Sequence, residues 1–92
     1  MSQSTLRRLP AVLIVDDEVR SQEALRRTLE EDFEVHCASS AAEGMEILEK
    51  EQSTATIRIL LCDQRMPGTT GVQFLKEVRL RWPDIVRIIL SG

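Results

Sequence analysis

The chain has 92 residues, 42% hydrophobic and 29% charged, a balance that excludes a disordered or fibrous polypeptide and fits one small globular domain. Its net charge of −3, from 12 Lys and Arg against 15 Asp and Glu, argues against direct nucleic-acid contact by this segment, since a phosphate-tracking surface carries a basic excess. The apolar runs are too short to cross a bilayer, the N-terminus has no signal-peptide stretch, and Cys37 and Cys62 form no disulfide framework or metal-ligand spacing, so a cytoplasmic protein with reduced thiols is expected.

In chain order, residues 1–9 are polar and basic and read as a flexible arm, leaving 10–92 as the domain. Ala11–Val15 is a short, branched, continuously apolar run, the pattern of a strand buried on both faces of a parallel sheet. A helix follows over Val19–Glu30, with Ala24, Leu25, Thr28 and Leu29 on one face by their spacing. Glu34–Ala38 is interrupted by polar residues and reads as an edge strand. Ser40 and Glu43 form a capping box ahead of an Ala41, Met45, Leu48 stripe.

Ile57–Cys62 is the next buried strand. Thr70 and Gln73 form a second capping box, before a stripe of Phe74, Leu75, Val78 and Trp82 that reads as core. Pro83 closes that helix, because the residue before a proline is pushed out of the α region. Ile85–Leu90 is the last strand. The alternating order predicts an α/β fold with a parallel sheet and helices on both faces. Ending on a strongly apolar strand, the domain reads as C-terminally incomplete.

Functional groups of an open parallel sheet collect at the carboxyl ends of its strands. The first strand runs into Asp16-Asp17-Glu18, the third into Asp63 and the fourth into Ser91. Each has a plain explanation: an Asp pair before a helix caps it, Asp63 opens a Pro-Gly turn, and Ser91 is solvated. Together they are harder to dismiss, because acids converging from two strands raise one another's pKa unless a cation sits among them. An oxygen-loving divalent ion such as Mg²⁺ fits, held by one or two carboxylates. Asp63, alone at a central strand end, is the better nucleophile for phosphoryl transfer; Asp16 and Asp17, side by side, are the better metal holders; Ser91 could hydrogen-bond the phosphoryl group.

These residues resemble the receiver domain of two-component response regulators: Val15-Asp16-Asp17-Glu18, Asp63 followed by Met66-Pro67-Gly68, Gly71 opening the next helix, and Ile89-Leu90-Ser91-Gly92. The resemblance implies a flavodoxin-like (CheY-like) sheet of strand order 2-1-3-4, with four of the usual five strands. It implies that Asp63 accepts a phosphoryl group from a histidine kinase and that Ser91 is the switch hydroxyl. Asp17 and Asp63 would bind Mg²⁺ directly with the backbone carbonyl of Arg65, and Asp16 through water. Any enzymatic activity would be self-phosphorylation and autodephosphorylation on Asp63. Asp63-Gln64-Arg65-Met66-Pro67-Gly68 looks like receivers attached to NtrC-type activators, including hydrogenase-gene regulators, or to cyclic-di-GMP phosphodiesterases, so an attached output domain, first of all one acting in transcription, is the implied partner.

The family's Lys after its fifth strand lies beyond this sequence, which puts phosphorylation and its coupling to the switch in question. A pseudo-receiver that docks proteins without phosphorylation is therefore the alternative. An Asp-nucleophile phosphatase ranks lower, because the position two after Asp63 holds Arg65 and not a second acid. Should the chain end at Gly92, the bare last strand predicts a dimer or swapped oligomer. His36 reads as a surface strand histidine without a carboxylate partner, Cys62 as an ordinary buried thiol, and Glu30-Glu31-Asp32 as a solvated helix end.

Overall fold

The structure is a computed structural model that describes residues 9–51, 57–64 and 71–90. Strands β1 (Ala11–Val15), β2 (Glu34–Ala38), β3 (Ile57–Asp63) and β4 (Val86–Leu90) alternate with helices α1 (Val19–Leu29), α2 (Ala41–Glu51) and α3 (Gly71–Arg81). The sheet is parallel throughout in the order β2-β1-β3-β4, as the family resemblance implies. β1 is central and completely buried, which is why its sequence shows no polar alternation.

The main core lies on the face covered by α2 and α3, where Leu13, Val15, Leu60 and Cys62 meet Leu48, Phe74, Leu75 and Val78. In β3, Ile57 joins that core although strict alternation from Leu60 would aim it the other way. A register shift at the start of β1 explains this: Ala11 pairs with Ile57, Val12 pairs with Ile59, and exposed Arg58 is the extra residue. Gly44 lets α2 approach, since a Cβ there would lie 3.0 Å from Val15 Cγ2 and 3.2 Å from Phe74 Cζ.

α1 lies over β1 and β2 on the opposite face. Its inward stripe is Ser21, Gln22, Leu25 and Leu29, all half-buried, whereas the expected Ala24 and Thr28 are exposed. The helix therefore sits in another phase than its apolar pattern suggested. Thr28 Oγ1 instead donates to the Ala24 carbonyl at 3.0 Å.

The helix ends follow their local chemistry. Glu43 N–H donates to Ser40 Oγ at 3.1 Å, half of the expected capping box, but Glu43 Oε1 reaches back to Ser39 N–H at 2.8 Å, one residue earlier than the box predicts. α3 ends at Arg81, and Trp82, just before Pro83, packs against the core with the Arg81 guanidinium 4.5 Å from its ring centre. Arg81 also reaches Glu49 of α2 at 2.9 Å. Glu30, Glu31 and Asp32 are exposed as expected. His36 does have a carboxylate partner, contrary to expectation: Glu34, two residues away on the same strand face, lies 3.0 Å from Nε2. The expected capping residue Thr70 and the arm residues 1–8 lie outside the described residues.

Candidate functional site

At the carboxyl edge of the sheet, the ends of β1 and β3 bring Asp16, Asp17 and Asp63 together. One carboxylate oxygen from each lies within 4.8 Å of the other two. They are adjacent because β1 and β3 are paired neighbours, with Val15 opposite Cys62 immediately before the acids. Asp16 is buried at 6% exposure, Asp63 is half-buried and Asp17 is exposed, so the cluster grades from core to solvent.

Asp16 does not cap α1, whose N-cap is Glu18 with no side-chain cap; it shapes the turn that precedes the helix. Its Oδ1 accepts the Glu18 N–H at 2.9 Å and so turns the chain into α1, while Ser21 Oγ donates to Glu18 Oε1 at 2.9 Å. Burial raises the Asp16 pKa above its usual carboxylate range; the Glu18 hydrogen bond opposes this, and the charges of Asp63, Asp17 and Glu18 add to it. A cation among the three would offset both the burial and the mutual repulsion. The donors are all carboxylate oxygens, the ligand type that hard divalent cations take, so the residues present fit Mg²⁺.

The β3 end is fixed on two sides. Gln64 N–H donates to the Leu90 carbonyl of β4 at 3.3 Å, and Gly71 N–H donates to the Gln64 carbonyl at 3.1 Å. A Cβ on Gly71 would stand 2.6 Å from the Asp63 carbonyl oxygen, so α3 begins directly against the backbone of Asp63 and only glycine allows it. Behind the cluster, burial first, then the charges of Asp63 and Asp16, push the Cys62 thiol up to about 12. The thiol donates to the Asp63 carbonyl at 3.3 Å and stays neutral, consistent with a structural cysteine.

Of the residues singled out in the sequence, Asp16, Asp17 and Asp63 are thus brought together, while Ser91 and Arg65 lie outside the described residues, as do Met66-Pro67-Gly68. One residue was overlooked. Gln22 reaches from α1 to the ends of β1 and β2, where its Nε2 donates to the Asp16 carbonyl and lies 3.2 Å from both the Ala38 carbonyl and Ser39 Oγ. Its spacing to Leu25 and Leu29 marks the inward face, but a polar side chain adds nothing to an apolar stripe. No helix among the described residues is long and apolar enough to cross a membrane.

Residues 12–92 match the sequence model of the response regulator receiver domain family. Over 81 residues the chain is 60% identical to the hydrogenase transcriptional regulatory protein HoxA of Cupriavidus necator, covering 88% of this chain and 16% of that protein. The chain thus spans only about a sixth of that regulator's length. The crystal structure of a response regulator receiver domain protein from Clostridium thermocellum superposes with a TM-score of 0.83 at 33% identity, over 91% of this chain and 66% of that one. The response regulator TrrA of Thermotoga maritima, solved in complex with Mg²⁺ and BeF, superposes with a TM-score of 0.76 at 28% identity, over 90% of this chain and 70% of its own.

Proposed function

Since the chain belongs to the response regulator receiver family, we propose that it is a phosphoacceptor switch, with Asp63 taking a phosphoryl group from a histidine kinase. The observation that carries this reading is the gathering of Asp16, Asp17 and Asp63 within 4.8 Å at the carboxyl edge of a parallel sheet. In the transfer, an Asp63 carboxylate oxygen attacks phosphorus, the bond from phosphorus to the kinase imidazole nitrogen breaks, and an acyl phosphate forms. The freed imidazole takes a proton from water. An ionised carboxylate needs no general base, so the protein's task is to position it and to manage charge.

Asp17 and Asp63, with the Arg65 backbone carbonyl, would hold Mg²⁺ directly, and Asp16 through water. When bound, the ion supplies charge neutralisation for the crowded carboxylates and the incoming phosphate. Ser91 is assigned the switch hydroxyl that hydrogen-bonds the phosphoryl group. The phosphorylated form would shift a two-state equilibrium that an output domain reads. Similarity to HoxA, a hydrogenase transcriptional regulatory protein, supports a role in the regulation of transcription through that domain.

Val86, Ile88 and Ile89 of β4 are exposed at 56%, 43% and 38%, which supports self-association of the 92-residue polypeptide. A dimer by light scattering that is lost in Val86→Lys with Ile88→Lys is expected; a monomer at working concentration contradicts it.

The test of the switch reading uses beryllium fluoride as a phosphoryl mimic. With Mg²⁺ present, ¹⁹F NMR should show bound fluoride resonances in the native chain and none in Asp63→Asn. Their absence from the native chain would favour the docking pseudo-receiver.

A further inference from the structure

We propose that Gln22 is a positioning residue for the acidic cluster, acting through the backbone that joins Asp16 to Asp17; this rests on the reading of that cluster as a Mg²⁺ site. Asp16 N–H donates to the Ala38 carbonyl at 3.0 Å, which ties the end of β1 to the end of β2. Gln22 Nε2 donates to the Asp16 carbonyl, with the same Ala38 carbonyl and Ser39 Oγ each 3.2 Å away. The amide nitrogen carries two hydrogens and meets three acceptors, so it serves as the hub of this corner.

The consequence for Asp17 follows from peptide geometry. The Asp16 carbonyl belongs to the rigid plane that also contains the Asp17 nitrogen and Cα. Fixing that carbonyl fixes where the Asp17 side chain leaves the backbone. Without the Gln22 donor, the Asp16 carbonyl loses the side-chain hydrogen bond that holds it at this corner, and the plane is freer to rotate toward water. Asp17 is the exposed member of the cluster, so packing does less there than at Asp16 to correct such a rotation. Outer residues that orient metal ligands typically contribute about 10–100-fold in metal affinity, and one acting through the backbone belongs at the lower end.

Two variants separate positioning from charge. Gln22→Met keeps the length of the side chain and removes the donor. Gln22→Glu also removes the donor but adds a negative charge, which by itself would draw Mg²⁺ in. Leu25→Ala, on the same inward stripe one turn later, is the packing control. Calorimetric titration of the chain with MgCl₂, alongside thermal melts without metal, gives the readout. Gln22→Met should bind Mg²⁺ about tenfold more weakly. Gln22→Glu should also be weaker than the native chain. Leu25→Ala should lower the melting temperature and leave Mg²⁺ affinity within about twofold of native, since it disturbs packing alone.

Without metal, the ¹H–¹⁵N resonance of the Asp17 amide should move in both Gln22 variants and stay in place in Leu25→Ala. This readout holds even if one Gln22 variant is too unstable to titrate. Unchanged Mg²⁺ affinity in Gln22→Met, or tighter binding in Gln22→Glu, would overturn the positioning role and leave the Mg²⁺ site standing. A native chain that binds no Mg²⁺ would remove the site itself, and this proposal with it.

Discussion

The two faces of the sheet are built differently, and the difference lies in what each helix buries. Under α2 and α3, Leu13, Leu60, Cys62, Leu48 and Val78 are all fully buried in one apolar cluster. On the other face, α1 contributes no fully buried residue, presents Gln22 among its inward side chains and holds strand ends through polar contacts. Further along that face, Val86 and Ile88 of β4 lie exposed. Apolar packing resists displacement, whereas a polar, half-buried surface rearranges at lower cost. The acids stand at the carboxyl edge where the two faces meet, anchored by one and adjusted by the other.

The sharpest way to break this contrast is a matched pair of truncations. Leu60→Ala should cost about 3 kcal/mol, in the range for a buried leucine that leaves a cavity. Leu25→Ala, at a half-buried position on the inward face of α1, should cost about 1 kcal/mol. Urea denaturation followed by circular dichroism measures both, and equal losses would erase the distinction between the faces.

Gly71→Ala probes the anchored side of the site itself. The added methyl would meet the Asp63 carbonyl oxygen at 2.6 Å, so either α3 or the Asp63 backbone must move. A loss of about 2 kcal/mol is expected from such overpacking, together with a shifted Asp63 amide resonance. Native stability with an unmoved resonance would mean that α3 does not hold Asp63.

The acids themselves give a pH signature. The folded state raises the Asp16 pKa, by burial first and by the neighbouring charges second, so the folded chain binds that proton more tightly than the unfolded one. Metal-free stability attributable to Asp16 should therefore fall as pH rises from the ordinary carboxylate range through the raised value. Asp16→Asn should be more stable than the native chain at pH 7 without Mg²⁺ and should gain less from added Mg²⁺. Thermal melts across pH 4–8 test the sign. A less stable Asp16→Asn would show that the Glu18 hydrogen bond outweighs the burial and repulsion.

The two cysteines report the faces with the smallest effect. Cys62 is buried in the α2–α3 core, while half-buried Cys37 pairs with Ile14 on the α1 side, 3.5 Å from Arg26 Nη2. At pH 8 a thiol reagent should modify Cys37 roughly tenfold or more faster than Cys62, because Cys37 is the more accessible and burial holds the Cys62 thiol neutral. With its thiol raised from 9.0 to about 12, Cys62 withholds its contribution to stability only as pH climbs from about 9 toward 12, and none is lost below 9. Equal labelling of both cysteines would mean that the core face opens as readily as the other.

Much of this was legible in the sequence, for physical reasons that also explain the failures. Continuous apolar runs revealed the buried strands, and in a parallel sheet the strand ends share one edge, so the meeting of Asp16, Asp17 and Asp63 followed from order alone. The phase of α1 did not follow. Its inward face includes Gln22, whose acceptors come from two strand ends that only the folded sheet brings together. The register shift at Arg58 left no mark, because its neighbours Ile57 and Ile59 suit either face. The Glu34–His36 pair does follow from the sequence, since residues two apart on a strand share a face.

Asp63 is proposed to accept a phosphoryl group at an acid cluster that requires Mg²⁺. Intact-mass measurement after incubation with a small-molecule phosphodonor tests it most directly, with and without Mg²⁺ and with Asp63→Asn alongside. A single phosphoryl adduct that depends on Mg²⁺ and is absent from Asp63→Asn is expected. An adduct that persists in Asp63→Asn, or no adduct on the native chain, would contradict it.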